Sequence, residues 1–146
     1  MKRFIRCLSA MLVLITLLGT VAYAQEVSTR ASSYFVSWDS SLAKISSNQF
    51  EIWFDVVSAG AMDKLGVSSI EVERSSNGTS WTVVKTYDPE DYSTMIEENT
   101  SCVYNCVTYT GSRGYFYRAY VTFYAKNSRG TGEMYDYSEV LYLPTS

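Results

Sequence analysis

Alternation of apolar and polar residues runs through most of the chain beyond its first thirty positions. Phe50, Ile52, Phe54 and Val56 alternate with Glu51, Trp53 and Asp55. Ile70 and Val72 alternate with Glu71 and Glu73. Tyr117, Ala119, Val121, Phe123 and Ala125 alternate with Arg118, Tyr120, Thr122, Tyr124 and Lys126. In extended chain, successive side chains point to opposite faces, so such runs describe strands with one face inward and one in water. Turn signals divide them. Ser75-Ser76-Asn77-Gly78-Thr79-Ser80 separates two runs, and Asn-Gly supplies positive φ at low steric cost. Asn127-Ser128-Arg129-Gly130-Thr131-Gly132 does the same before the last run. The pattern predicts strands over about 33–45, 49–57, 68–75, 80–87, 106–110, 115–126 and 133–143. Strands of this kind read as an antiparallel two-sheet β-sandwich, because a single sheet would leave its apolar face in water.

Two segments interrupt the alternation. Met62-Asp63-Lys64-Leu65-Gly66 reads as a single helical turn, with Met62 and Leu65 closing one end of the sandwich. Asp88-Pro89-Glu90-Asp91 resembles a helix N-terminus, with Pro in the first turn and carboxylates near the positive end of the dipole. It predicts a short turn in a crossover between the sheets.

The first 24 residues have a different character. Lys2, Arg3 and Arg6 precede an apolar run from Leu8 to Leu18, and Ala22-Tyr23-Ala24 is a small-x-small cleavage signal. These are the three parts of a secretory signal peptide in order, so cleavage is expected between Ala24 and Gln25. The expected organisation is residues 1–24 as signal peptide and 25–146 as one domain, exported, with no membrane association after cleavage. Leucine thins out beyond the signal to Leu42, Leu65, Leu141 and Leu143, while Val, Thr, Ser and Tyr take over. These residues suit a pleated, half-buried surface.

Composition narrows the chemistry. The chain has 146 residues and no His, which excludes a Ser-His-Asp triad, a Cys-His pair and a His-ligated zinc. Residues 25–146 carry nine basic and fifteen acidic side chains, so there is no basic footprint for nucleic acid. No cofactor-binding or metal-binding motif is present, and no cofactor or metal is expected.

Several segments resemble known architecture. Ile70 to Val84, through Asn77-Gly78 and Trp81, looks like the third and fourth strands of a fibronectin type III-like module. Tyr117 to Gly130, ending Ala125-Lys-Asn-Ser-Arg-Gly130, is similar to the sixth strand of that family and its following turn. Ser138 falls where such modules place a serine at the start of the last strand. Trp53 departs from the pattern, standing on the polar parity of its strand. Ser33-Tyr34-Phe35, Met62 to Ile70, Trp81 to Tyr87 and Tyr117 to Asn127 also resemble a group of small secreted proteins of gut-dwelling Gram-positive bacteria. The resemblance implies an immunoglobulin-like sandwich and an extracellular, bacterial setting, and brings no activity with it.

Four sets of residues are candidates for chemistry. Cys102 and Cys106 are the only cysteines beyond the signal. Four residues of extended strand span about 13 Å, whereas a disulfide needs Cα atoms within about 7 Å. A Cys102–Cys106 disulfide therefore predicts a turn over Ser101 to Cys106, with the fifth strand starting near Cys106. Asp88, Glu90, Asp91, Glu97 and Glu98 read as a solvated acidic loop, with calcium as the sharper alternative. Glu71 and Glu73 share one outward face, where nothing raises a carboxyl pKa or excludes water as a glycosidase would need. The aromatics are the fourth set. Tyr120 and Tyr124, with Phe116, stand on the outward parity of a strand that also presents Arg118, joined by Tyr135 or Tyr137 from the last strand. Rings in a row beside Arg offer a large contact area at low entropy cost, as a protein or glycan partner requires. Ordinary cross-strand pairing of aromatics is the competing explanation.

The sequence thus predicts a secreted, monomeric, non-enzymatic binding module using Arg118, Tyr120, Tyr124, Tyr135 and Tyr137. A structural surface protein without a discrete ligand, or a small secreted effector or antimicrobial-type product, are the alternatives.

Overall fold

The computed structural model describes residues 33–145; the expected signal peptide and its Ala24–Gln25 junction lie outside them. Seven strands form one antiparallel sheet: β1 (Phe35–Lys44), β2 (Gln49–Ser75), β3 (Thr82–Tyr87), β4 (Ile96–Thr110), β5 (Tyr115–Asn127), β6 (Gly130–Tyr137) and β7 (Leu141–Leu143). A 3-10 turn at Ser93–Met95 precedes β4. Among the described residues no helix is long and apolar enough to cross a membrane.

Strand β2 organises the molecule. Its first part, residues 50–58, lies between β1 and β4. Its last part lies between β5, along residues 64–75, and β3, along residues 70–74. β5 then pairs with β6 and with β7. A straight strand would separate residues 50 and 74 by roughly 80 Å. Yet Tyr117, the β5 partner of Arg74, has its ring only 5.2 Å from that of Phe50. β2 must therefore fold back, which curls the sheet so that its apolar faces meet.

Three irregularities make that bend. Residues 58–61 leave the β4 ladder between the pairs Val57↔Cys102 and Met62↔Thr100, with Gly60 at φ 103°. Gly66, at φ 148°, is the last β2 residue paired with β4, opposite Ile96. A bulge at Ser68 then shifts the register against β5. An extra residue in a strand reverses which face later side chains occupy. The buried set accordingly passes from Phe50, Ile52, Phe54 and Val56 to Leu65 and Val67, then to Ile70 and Val72.

The inward positions read from the alternation are all buried, including Tyr117, Ala119, Val121, Phe123 and Ala125 of β5. Three expectations change. Residues 62–66 are extended rather than a helical turn, because residues 96–100 of β4 lie alongside and take up the backbone bonds. Met62 and Leu65 are nonetheless buried. The expected fifth strand begins at Ile96 instead of near Cys106, which puts Glu97 and Glu98 on a strand and not in a loop. The expected last strand is split into β6 and β7 at Ser138. There the Ser138 N–H donates to the Ala119 carbonyl, and the Ala119 N–H donates to Ser138 Oγ, both at 2.9 Å, so Ala119 keeps both of its backbone bonds across the break.

Side chains close the open edges. The Ser40 hydroxyl and backbone N–H of β1 both donate to Asp136 Oδ2 of β6, at 2.8 and 3.1 Å. Tyr87 at the end of β3 donates to the Thr108 carbonyl of β4 at 2.9 Å. Burial, then the neighbouring Tyr92 and Tyr109, push the Tyr87 phenol up to about 12, so it remains a donor through neutral pH.

Candidate functional site

The exposed face over the last part of β2 is built by strand pairing. Tyr120 stands opposite Glu71 on one side and Tyr137 on the other. Arg118 stands opposite Glu73, Thr122 opposite Tyr135, and Tyr124 opposite Glu133. Cross-strand partners share a face, and the alternating buried residues of β5 fix that face as the outward one. Tyr135 and Tyr137 are 53% and 49% exposed, which leaves half of each ring surface open to a partner.

The side chains form a continuous row. The Tyr120 and Tyr135 rings stack with centroids 5.9 Å apart and planes 1° apart. Tyr120 and Tyr137 meet at 4.7 Å. The Arg118 guanidinium lies 4.3 Å from the Tyr137 ring centroid and 4.4 Å from that of Trp81. Its Nε donates to Glu73 Oε2 at 2.6 Å, and both side chains are largely sheltered. The pair is thus charge-assisted and sandwiched between rings, where a guanidinium gains from both face contacts. Tyr135 donates to Glu133 Oε2 at 3.1 Å, and that bond and the nearby charge raise its pKa. Farther along the face, Phe116 and Tyr142 pack at 4.7 Å.

Four of the five residues expected from sequence, Arg118, Tyr120, Tyr135 and Tyr137, meet in this row. Tyr124 shares the face but has no ring neighbour among the described residues. Trp81 and Glu73 complete the Arg118 environment and were not singled out for it. The alternation places Glu73 outward, yet only the register of β2 against β5 puts it beside Arg118. Trp81 arrives from the loop before β3, anchored by the turn at Asn77-Gly78. There Ser75 Oγ accepts from the Asn77 and Gly78 N–H groups, and Asn77 Oδ1 accepts from those of Thr79 and Ser80.

The cysteines are corrected by the structure. Cys102 and Cys106 are free thiols, and the turn expected between them is absent. Pairing of Cys102 with Val57 and of Cys106 with Trp53 holds the backbone extended, so the two thiols share one face about 13 Å apart. On that same face Trp53 stacks on Tyr104 at 4.9 Å, and its indole N–H donates to Glu51 at 3.0 Å. Burial, then the Glu51 charge, push the Cys106 thiol up. Alkylation of the protein lacking residues 1–24, and with them Cys7, should therefore add two groups, and Cys106 should react more slowly than the exposed Cys102. Mass spectrometry over time checks both points; a single product with no alkylation would restore the disulfide.

The acidic residues do not gather. Asp88 Oδ1 accepts from the Glu90 and Asp91 N–H groups at 2.9 and 3.1 Å, stabilising the turn before the 3-10 segment. Glu98 pairs with Lys64 at 3.8 Å. Among the described residues no three His, Cys, Asp or Glu side chains are grouped to hold a metal ion. The chain matches no protein-family model, no curated protein and no solved structure.

Proposed function

We propose that the chain is an exported, non-enzymatic binding module with an immunoglobulin-like, fibronectin type III-like β-sandwich, acting as a monomer through its aromatic face. Two features support the fold part of this reading. The pairings fall mainly into a group of β1, the first part of β2 and β4, and a group of β3, the last part of β2, β5 and β6 with β7, joined where Lys64, Leu65 and Gly66 pair with both β4 and β5. Such a grouping resembles the two-sheet partition of those sandwiches and supports the reading. In addition, the Tyr117 hydroxyl donates to the Ser112 carbonyl at 2.9 Å and accepts from the Ser112 N–H at 2.7 Å. A tyrosine at this corner, bonded back to the backbone a few residues upstream, is a hallmark of the immunoglobulin fold.

The binding part rests on the row Trp81–Arg118–Tyr137–Tyr120–Tyr135. Its rings and guanidinium are held in place by one another before any partner arrives, so little side-chain entropy is lost on contact. The partner is a protein or glycan at a cell surface or in the surrounding medium. Tyr135→Ser with Tyr137→Ser should abolish retention on mucus or cell-wall preparations. The melting temperature should move by only about 2 °C, since both residues are half-exposed. Tyr124→Ser, outside the row, should leave retention intact. Unchanged retention in the double variant would favour a structural protein without a discrete ligand, or an effector acting through another surface.

A further inference from the structure

The row already contains one complete cation site, filled by the protein itself. Arg118 lies between the rings of Trp81 and Tyr137, with the Glu73 carboxylate on its Nε. One step along the same face the rings and carboxylates are present without the cation. Tyr120 and Tyr135 are stacked, Glu71 stands opposite Tyr120, and Glu133 stands on β6 two positions from Tyr135. Among the described residues neither Glu71 nor Glu133 is ion-paired; Glu133 accepts only the Tyr135 hydroxyl. Lys126 and the Lys64–Glu98 pair lie beyond Tyr124, at the far end of the face. Arg118, the cation within the row, is neutralised by Glu73. The row and its flanks therefore carry an excess of negative charge beside exposed π-faces.

Resting on the binding-face reading above, we propose that the occupant of this face is an extended segment of a partner protein rich in Arg or Lys. A side-chain cation of the partner would lie over the Tyr135 face turned away from Tyr120, beside Glu133, with Glu71 on the far side of Tyr120 adding to the negative charge of the row. A cation over an aromatic ring is attracted by the ring quadrupole, and the two carboxylates add charge complementarity that an anionic ligand would lack. A neutral glycan would use the rings and leave the carboxylates without an opposite charge.

A fluorescently labelled hexaarginine peptide and a neutral N-acetylglucosamine oligosaccharide serve as the probes. The full protein should bind hexaarginine in a salt-sensitive manner. Glu71→Gln with Glu133→Gln should weaken that binding by roughly tenfold. Tyr135→Ser should weaken it too. Asp39→Asn with Asp55→Asn removes the same charge from the β1–β2 pairing, in the other group of strands, and should have little effect. Equal losses from the two charge-neutralising pairs would mean general attraction to an acidic protein and would overturn the proposal. Absence of hexaarginine binding would overturn it as well. If the oligosaccharide alone binds, and Tyr135→Ser with Tyr137→Ser removes it, the cationic occupant is wrong while the binding face stands.

Discussion

Gly66→Ala is expected to cost roughly 3–5 kcal/mol of stability, because it combines two penalties at one position. The backbone at Gly66 has φ 148°, which L side chains rarely adopt. A Cβ there would also overlap the Met95 carbonyl oxygen and come within 2.9 Å of the Ile96 Cα, both parts of rigid backbone. Neither neighbour is free to retreat. Met95 is completely buried, and Ile96 is held by its pairing with Gly66 itself. The melting temperature should fall by roughly 10–20 °C. Gly60→Ala is the matched control. It shares a positive φ, 103°, but an added Cβ meets nothing within 4 Å, so only the backbone penalty of roughly 1–2 kcal/mol applies. Equal losses at the two sites, read from thermal unfolding, would show that the contact with Met95 does not matter.

Tyr117→Phe is expected to cost about 2 kcal/mol although it deletes a single oxygen. The ring would still pack against Phe50 and Tyr109, at 5.2 and 5.8 Å. What disappears is the pair of hydrogen bonds between the start of β5 and the Ser112 backbone, whose N–H and carbonyl both use the phenol oxygen. Because the Tyr117 side chain is fully buried, water cannot take its place from the core side. Urea unfolding should show a lower midpoint with an unchanged slope. A loss below about 0.5 kcal/mol would mean that Ser112 is satisfied by solvent and that the corner is decorative.

The division between buried and exposed residues was legible in the sequence because it is a local property. Alternation along β5 needs no knowledge of its partners, and every residue it placed inward from Tyr117 to Ala125 is buried. The same logic put Arg118, Tyr120, Tyr135 and Tyr137 on one surface. What escaped was non-local. Glu73 and Trp81 reach Arg118 through the register of β2 against β5 and the path of the loop before β3. Residues 62–66 and 101–106 carry local cues for turns, a glycine in the first and a close cysteine pair in the second. Both are extended because each lies against the other strand of the β2–β4 ladder. Tertiary pairing overrode local preference there, as it does for strands generally.

The shared strand β2 also shapes how the chain must acquire its fold. The turn between β1 and β2 closes within a few residues, but the pairs Lys64↔Lys126 to Ser75↔Phe116 each close a loop of roughly forty to sixty residues, an entropic cost met before the contacts form. Both groups of strands wait on the same 27 residues, so neither is an autonomous folding unit. A chain arranged this way should reach its native state in one concerted, comparatively slow step. Until Ala119 and Val121 of β5 arrive, Ile70 and Val72 have only the short β3 hairpin beside them.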